Sequence, residues 1–244
     1  MQLKKTLLQP SILLVALFFF GKAYTQSDKL GTWEVLNGEY YLNNKWNLWA
    51  EGQLRSQKVY KDFYYHELKG GVNYKLNKST IFLLGVGQYG TYSNGGNFKS
   101  PVLSHELRLW EQLTLVNNIG RIKIEHRYRV EQRWVNNDYK NRFRYRLNPL
   151  IPINKRTIEK GTVFASVYDE IFLTNKGPFF ERNRVFAGAG YMISNPLTLL
   201  IGCVRQFDYS LSNPGSKKDF IQTTLFFRIN QGHNTLPTHP SSMD

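Results

Sequence analysis

The sequence predicts an all-β fold: a transmembrane antiparallel β-barrel of ten to twelve strands, with short periplasmic turns and longer outer loops. Three observations predict it. Long segments alternate polar and apolar residues with a strict period of two, turn signals recur at hairpin spacing, and no run beyond residue 25 reaches the roughly 18 apolar residues that mark a helical span.

The clearest alternation runs from Arg121 to Trp134. Arg121, Lys123, Glu125, Arg127, Arg129, Glu131 and Arg133 share one parity, opposite Ile122, Ile124, His126, Tyr128, Val130, Gln132 and Trp134. Successive strand side chains point to opposite faces, so this segment carries one charged and one apolar face. The next segment sets Arg142, Arg144, Arg146 and Asn148 against Phe143, Tyr145, Leu147, Pro149 and Ile151. Ahead of both, Leu103, Leu107, Leu109, Leu113 and Leu115 oppose Ser104, Glu106, Arg108, Gln112 and Thr114. Weaker alternation extends the reading to strands near 32–42, 45–55, 63–76, 80–92, 102–116, 121–134, 140–152, 161–173, 182–194, 197–209 and 219–230. That is eleven candidates. Single-chain bacterial barrels have even strand counts, which points to ten or twelve, and a change of phase at Asn37-Gly38 leaves the first segment bent, split or inside the barrel.

Tight turns are expected at Asn43-Asn44, Asn77-Lys78-Ser79, Asn117-Asn118 and Ser194-Asn195-Pro196, where Asn supplies turn chemistry. Longer links are expected at 56–62, 93–101, 135–139, 174–180 and 210–218. Residues 26–230 read as one barrel domain, with 231–244 a disordered tail.

Residues 1–25 read as a secretory signal, with Lys4 and Lys5 ahead of the apolar stretch Leu7 to Phe20. The expected location is the cell outer membrane, with its lipid bilayer as partner. The 244-residue chain carries a formal charge of +14, and loss of Lys4, Lys5 and Lys22 lowers it to +11. In an exported chain this excess calls for no nucleic-acid partner. A single cysteine, Cys203, excludes an internal disulfide and any zinc site built on several cysteines. Aromatic residues at strand ends, Trp33, Trp46, Tyr89, Tyr92, Trp134, Tyr139, Tyr191 and Tyr209, are expected to form belts at the two membrane boundaries. A secreted soluble barrel is the alternative fold, and it leaves those belts without a reason.

The Trp33 segment, the strand Asn141-Arg142-Phe143-Arg144-Tyr145-Arg146-Leu147 and the strand from Phe180 to Tyr191 resemble the domain of unknown function 2490 family. The resemblance implies an outer-membrane barrel of a Gram-negative bacterium. It implies no reaction and no catalytic residues.

With the apolar parity in lipid, Arg108, Lys123, Arg127, Arg129, Arg133, Arg142, Arg144 and Arg146 point into the lumen, accompanied by Glu106, Glu125 and Glu131. The plainer reading is an ion-pair lattice that fills a narrow barrel. The functional reading is a porin-like basic lumen that attracts small anionic solutes. A lipid-modifying enzyme is the alternative function: His66, His105 and His126 fall on the apolar parity, but the residues two positions on are Leu68, Leu107 and Tyr128 rather than a nucleophile. The expectation is no catalytic, cofactor or metal site. Asp169 and Glu111 also sit on the apolar parity.

Overall fold

The computed structural model describes residues 30–230 apart from 94, 96, 100 and 211–214. The segments read as signal peptide and C-terminal tail lie outside the described residues.

Among the described residues eleven strands form, one for each candidate segment: β1 (Leu30–Tyr41), β2 (Trp46–Lys58), β3 (Lys61–Lys75), β4 (Thr80–Tyr92), β5 (Val102–Ile119), β6 (Ile122–Val135), β7 (Asp138–Pro152), β8 (Val163–Thr174), β9 (Phe180–Met192), β10 (Leu197–Asp208) and β11 (Ser216–Ile229). Neighbours in sequence pair antiparallel, and β1 closes the barrel against β11 in parallel, from Leu30 opposite Asp219 to Tyr40 opposite Ile229. The count is therefore eleven, between the ten and twelve that an even barrel allows. When successive strands reverse direction, the first and the eleventh run the same way, so an odd barrel closes only through a parallel pair. β1 is unbroken through Asn37-Gly38, and Trp33, Val35, Asn37, Glu39 and Tyr41 all face inward. The phase change is one of polarity within a single inward row, not of backbone direction.

Several links differ from expectation. The loops expected at 56–62 and 135–139 contract to the two-residue turns Val59-Tyr60 and Asn136-Asn137. Asn136 and Asn137 both take positive φ, at 45° and 77°, as a tight hairpin of matching twist requires. The turn expected at Asn117-Asn118 falls instead at Gly120-Arg121, where Gly120 supplies φ of 58° and the strand runs on to Ile119. At the barrel end where β1 finishes, the links span four, four, two, ten and four residues; at the opposite end they span two, nine, two, five and seven. Link length therefore does not separate a turn end from a loop end.

The wall is apolar outside and polar inside, the reverse of a soluble barrel. Leu36, Leu54, Leu68, Leu84, Leu109, Phe143, Val185 and Ile201 are exposed outward, while Glu51, Lys69, Gln112, Arg129, Glu170 and Arg184 are buried inward. Aromatic residues also enter the interior. Gly85 makes room for Trp110, since a Cβ there would lie 2.3 Å from the indole, and Gly190 does the same for Phe164 at 2.1 Å.

Candidate functional site: a filled basic interior

Three consecutive strands, β5, β6 and β7, bring the predicted basic cluster together because their in-register pairing stacks equal parities. Arg127 lies opposite Arg146, Arg129 opposite Arg144, and Glu131 opposite Arg142. Arg108, Arg127, Arg129, Arg133, Arg142, Arg144 and Arg146 are all buried in the interior. Lys123 lies toward the end where β6 begins, with its side chain 18% exposed and its Nζ 2.9 Å from Glu125.

Each carboxylate in this row serves more than one side chain, and Glu131 and Glu106 each serve two arginines. Glu131 accepts from Arg142 Nη2 at 2.6 Å and from Arg144 Nη1 at 2.7 Å. Glu106 takes a bidentate pair from Arg108, Nε at 2.6 Å and Nη2 at 2.8 Å, and also pairs with Arg133. Glu125 accepts from Asn148 Nδ2 at 3.4 Å and forms an ion pair with Lys123. The deepest junction is Glu170 on β8, fully buried, which pairs with Arg127, accepts from Arg144 Nε at 2.9 Å and has Arg184 Nη1 at 3.5 Å. Glu181 on β9 joins Arg133 at 3.0 Å and Arg142 at 3.4 Å. A second network lies across the barrel, where Lys69 pairs with Glu51 and with Glu67 at 2.9 Å.

Sequence reasoning named Glu106, Glu125 and Glu131 but missed Glu170, Glu181, Arg184, Glu51 and Lys69. The signal for Glu170 was available: Asp169 sits on the outward parity, so its neighbour must face in.

Buried arginines, some of them also paired with carboxylates, rest on rings. Arg108 lies 3.5 Å from the Tyr89 centroid, Arg55 3.5 Å from Trp33, and Arg146 4.9 Å from Tyr168. Trp33 and Tyr89 are therefore corrections to the predicted belts. Trp33 shares its parity with Asn37 and Glu39, and Tyr89 shares its parity with Gly85 and Gly87, so both point inward and are buried. Trp33 also donates from Nε1 to Gln53 at 2.7 Å.

The other belt residues face outward. Trp46 and Tyr191 lie at one end of the barrel and Tyr92, Trp134, Tyr139 and Tyr209 at the other, with Trp134 against Tyr139 at 5.4 Å and Trp46 against Tyr74 at 4.6 Å. His66, His105 and His126 also face outward. His66 Nε2 lies 3.3 Å from the Tyr92 hydroxyl, His126 Nδ1 lies 2.9 Å from the Tyr145 hydroxyl, and the His105 backbone N–H donates to Asn136. Glu111 and Asp169 are held on the outer wall by neighbouring amides, Gln132 at 3.1 Å and Asn183 at 2.6 Å. Cys203 is exposed on the same wall.

A family model described as a protein of unknown function, DUF2490, matches residues 30–217, which takes in β1 to β10 and the start of β11. The chain belongs to the DUF2490 family. Among solved structures, LpxR from Salmonella typhimurium is similar to this DUF2490 chain at a TM-score of 0.47 and 9% sequence identity, covering 79% of this chain and 87% of that one. No curated protein matches it.

Proposed function

We propose that this DUF2490 protein is a closed, structural barrel of the outer membrane, exported through its N-terminal signal and presenting its outer wall to lipid rather than a passage to solutes. The observation that carries this reading is the filled interior. Arg127, Arg129, Arg142 and Arg146 are among the largest fully buried side chains, together with Trp33, Trp110, Phe164, Tyr168, Phe172 and Phe186. Guanidinium groups aimed at an open aqueous channel would keep accessible surface. Here they are spent on carboxylates and ring faces, as in a small barrel whose interior is packed with side chains.

The membrane location is supported by the inverted polarity of the wall and by outward aromatics at both ends. A closed barrel leaves no unpaired sheet edge, the condition for a β-structure to sit in hydrocarbon. The test is reconstitution into liposomes. The expected result is heat-modifiable insertion without swelling in small-solute gradients; a chain that stays soluble, or that makes liposomes permeable, overturns the proposal.

The anion-pore reading has one specific observation in its favour, the excess of arginine over carboxylate on β5 to β7. It requires the Glu131 and Glu170 junctions to open. The enzyme reading rests on the outward histidines, whose side-chain hydrogen bonds described above end on tyrosine hydroxyls. Separate replacement of His66, His105 and His126, with lipid composition followed, decides it.

A further inference from the structure

The two ends of the barrel carry different chemistry. At the end where β1 finishes, the outward row of every odd-numbered strand runs on to an aliphatic side chain at or one past its last residue: Leu42, Leu76, Ile119, Ile153, Ile193 and Ile229. The strand period of two explains this, since each stands two positions beyond an outward residue, Leu42 beyond Tyr40 and Ile193 beyond Tyr191. All six are exposed, from 40% at Ile193 to 66% at Ile119. Over the last six residues of each of these strands, no outward position holds a charged side chain. The outward charges Glu34, Glu111, Asp169, Arg205 and Asp219 lie from mid-wall to the other end. Exposed aliphatics at a turn are unfavourable in water and suit hydrocarbon, so at this end the apolar band reaches the turns themselves.

The links that follow are basic. Lys45, Lys78, Arg121, Arg156 and Lys160 are exposed, and the one carboxylate on these links, Glu159, is paired with Lys155 at 3.1 Å. On the three shorter links that carry a cation, it comes two or three residues after the exposed aliphatic: Lys45 after Leu42, Lys78 after Leu76 and Arg121 after Ile119. That spacing sets an ammonium or guanidinium group just beyond the hydrocarbon edge, at the level of headgroup phosphates, with its stem lying along apolar surface. The links at the other end carry only Lys99 and Lys176. The strand ends there add charges that cancel, Lys58 paired with Asp62 at 3.4 Å and Lys218 with Asp208 at 3.2 Å.

We propose that the basic ring at the end where β1 finishes binds the phosphates of anionic phospholipids in the leaflet around it, and so gathers those lipids at one end of the barrel. A net negative headgroup is favoured over a zwitterionic one because five exposed cations face it and the only carboxylate among them is already taken by Lys155. Every group that the contact needs stands on the surface. The inference rests on the outer wall facing lipid, and adds which lipid and which end.

The experiment reads tryptophan quenching in bilayers of phosphatidylcholine with a minor share of phosphatidylglycerol, the brominated acyl chains being placed on one lipid or the other. Trp134→Phe leaves Trp46 as the outward indole at the basic end, and Trp46→Phe leaves Trp134 at the opposite end; Trp33, Trp49 and Trp110 are buried inside and common to both. The expected result is that brominated phosphatidylglycerol quenches Trp46 as though concentrated about fivefold over its bulk share, the factor that one near-surface cation supplies, and quenches Trp134 at its bulk share. Lys45→Glu with Lys78→Glu and Arg121→Glu should return Trp46 to the bulk share, with heat-modifiable migration reporting that the barrel still closes. Salt at about 1 M should do the same with the native cations in place. Bulk-share quenching at Trp46, equal enrichment at both indoles, or enrichment that survives both the charge reversal and salt overturns this inference alone. Absence of quenching of either indole by either brominated lipid overturns the membrane reading with it.

Discussion

Replacing Glu170 with glutamine removes one negative charge from the point where three arginines meet. Arg127 and Arg144 donate to its Oε1 and Arg184 approaches its Oε2, all within a fully buried site. Glutamine keeps one carbonyl acceptor and turns an amide donor toward guanidinium. Two hydrogen bonds lose their anionic acceptor, at about 1 kcal/mol each, while the guanidinium donors stay charged. The larger cost is the set of cations left without their counter-charge, so the total destabilisation is about 3–5 kcal/mol. Urea unfolding of the lipid-reconstituted barrel, read by tryptophan fluorescence and by heat-modifiable migration, measures it. Glu181→Gln is the internal comparison, since that side chain is 18% exposed and water replaces part of what is lost; about 1 kcal/mol is expected. Adding Arg127→Met to Glu170→Gln should recover about 1–2 kcal/mol, because the second change removes a cation that stands opposite Arg146 and has lost the Glu170 counter-charge. A loss below about 1 kcal/mol for Glu170→Gln, or strict additivity in the double variant, would refute the view that this junction holds the interior together.

Three further outcomes follow from the same structure. Gly85→Ala drives a Cβ into the Trp110 ring and should cost about 1–3 kcal/mol in the same unfolding assay, whereas Gly52→Ala, in open space, should not destabilise the barrel. Glu111→Leu removes a carboxylate from the outer wall and should raise stability in a bilayer by about 1–2 kcal/mol; a decrease would mean that this wall faces water. Because β1 and β11 run parallel, residue 30 and residue 229 lie at opposite ends of the barrel. Epitope tags placed before residue 30 in the mature chain and after residue 230 should be cleaved from opposite sides of intact cells' outer membranes; cleavage of both from one side contradicts the odd strand count.

The barrel was legible because its two faces have different chemistry over long strands. Arg121 to Trp134 needed only parity to be placed, and the structure keeps Arg127, Arg129 and Arg133 inward and Tyr128, Val130 and Trp134 outward. What parity alone does not resolve is an aromatic near a strand end, which suits either an outer belt or a ring face for a buried arginine. Trp33 and Tyr89 took the second course, and the deciding clue was the polar or glycine company on their own parity. Turn lengths were less legible. A two-residue connection through Tyr60 uses a left-handed residue that carries no Gly, Asn or Asp signature, and Gly120 overrode the stronger local appeal of Asn117-Asn118. The carboxylates that complete the interior come from β8 and β9, and their meeting with Arg127, Arg144 and Arg142 is set by the register and curvature of β6 to β9 rather than by any pattern within one strand.

Single-channel recording in a planar bilayer tests the closed interior most directly. Inserted wild-type barrel, with insertion confirmed independently, is predicted to show no steady conductance, and Glu131→Ala with Glu170→Ala to introduce leak by loosening the lattice. A stable, anion-selective conductance from the wild-type protein would mean that the interior is an open pore.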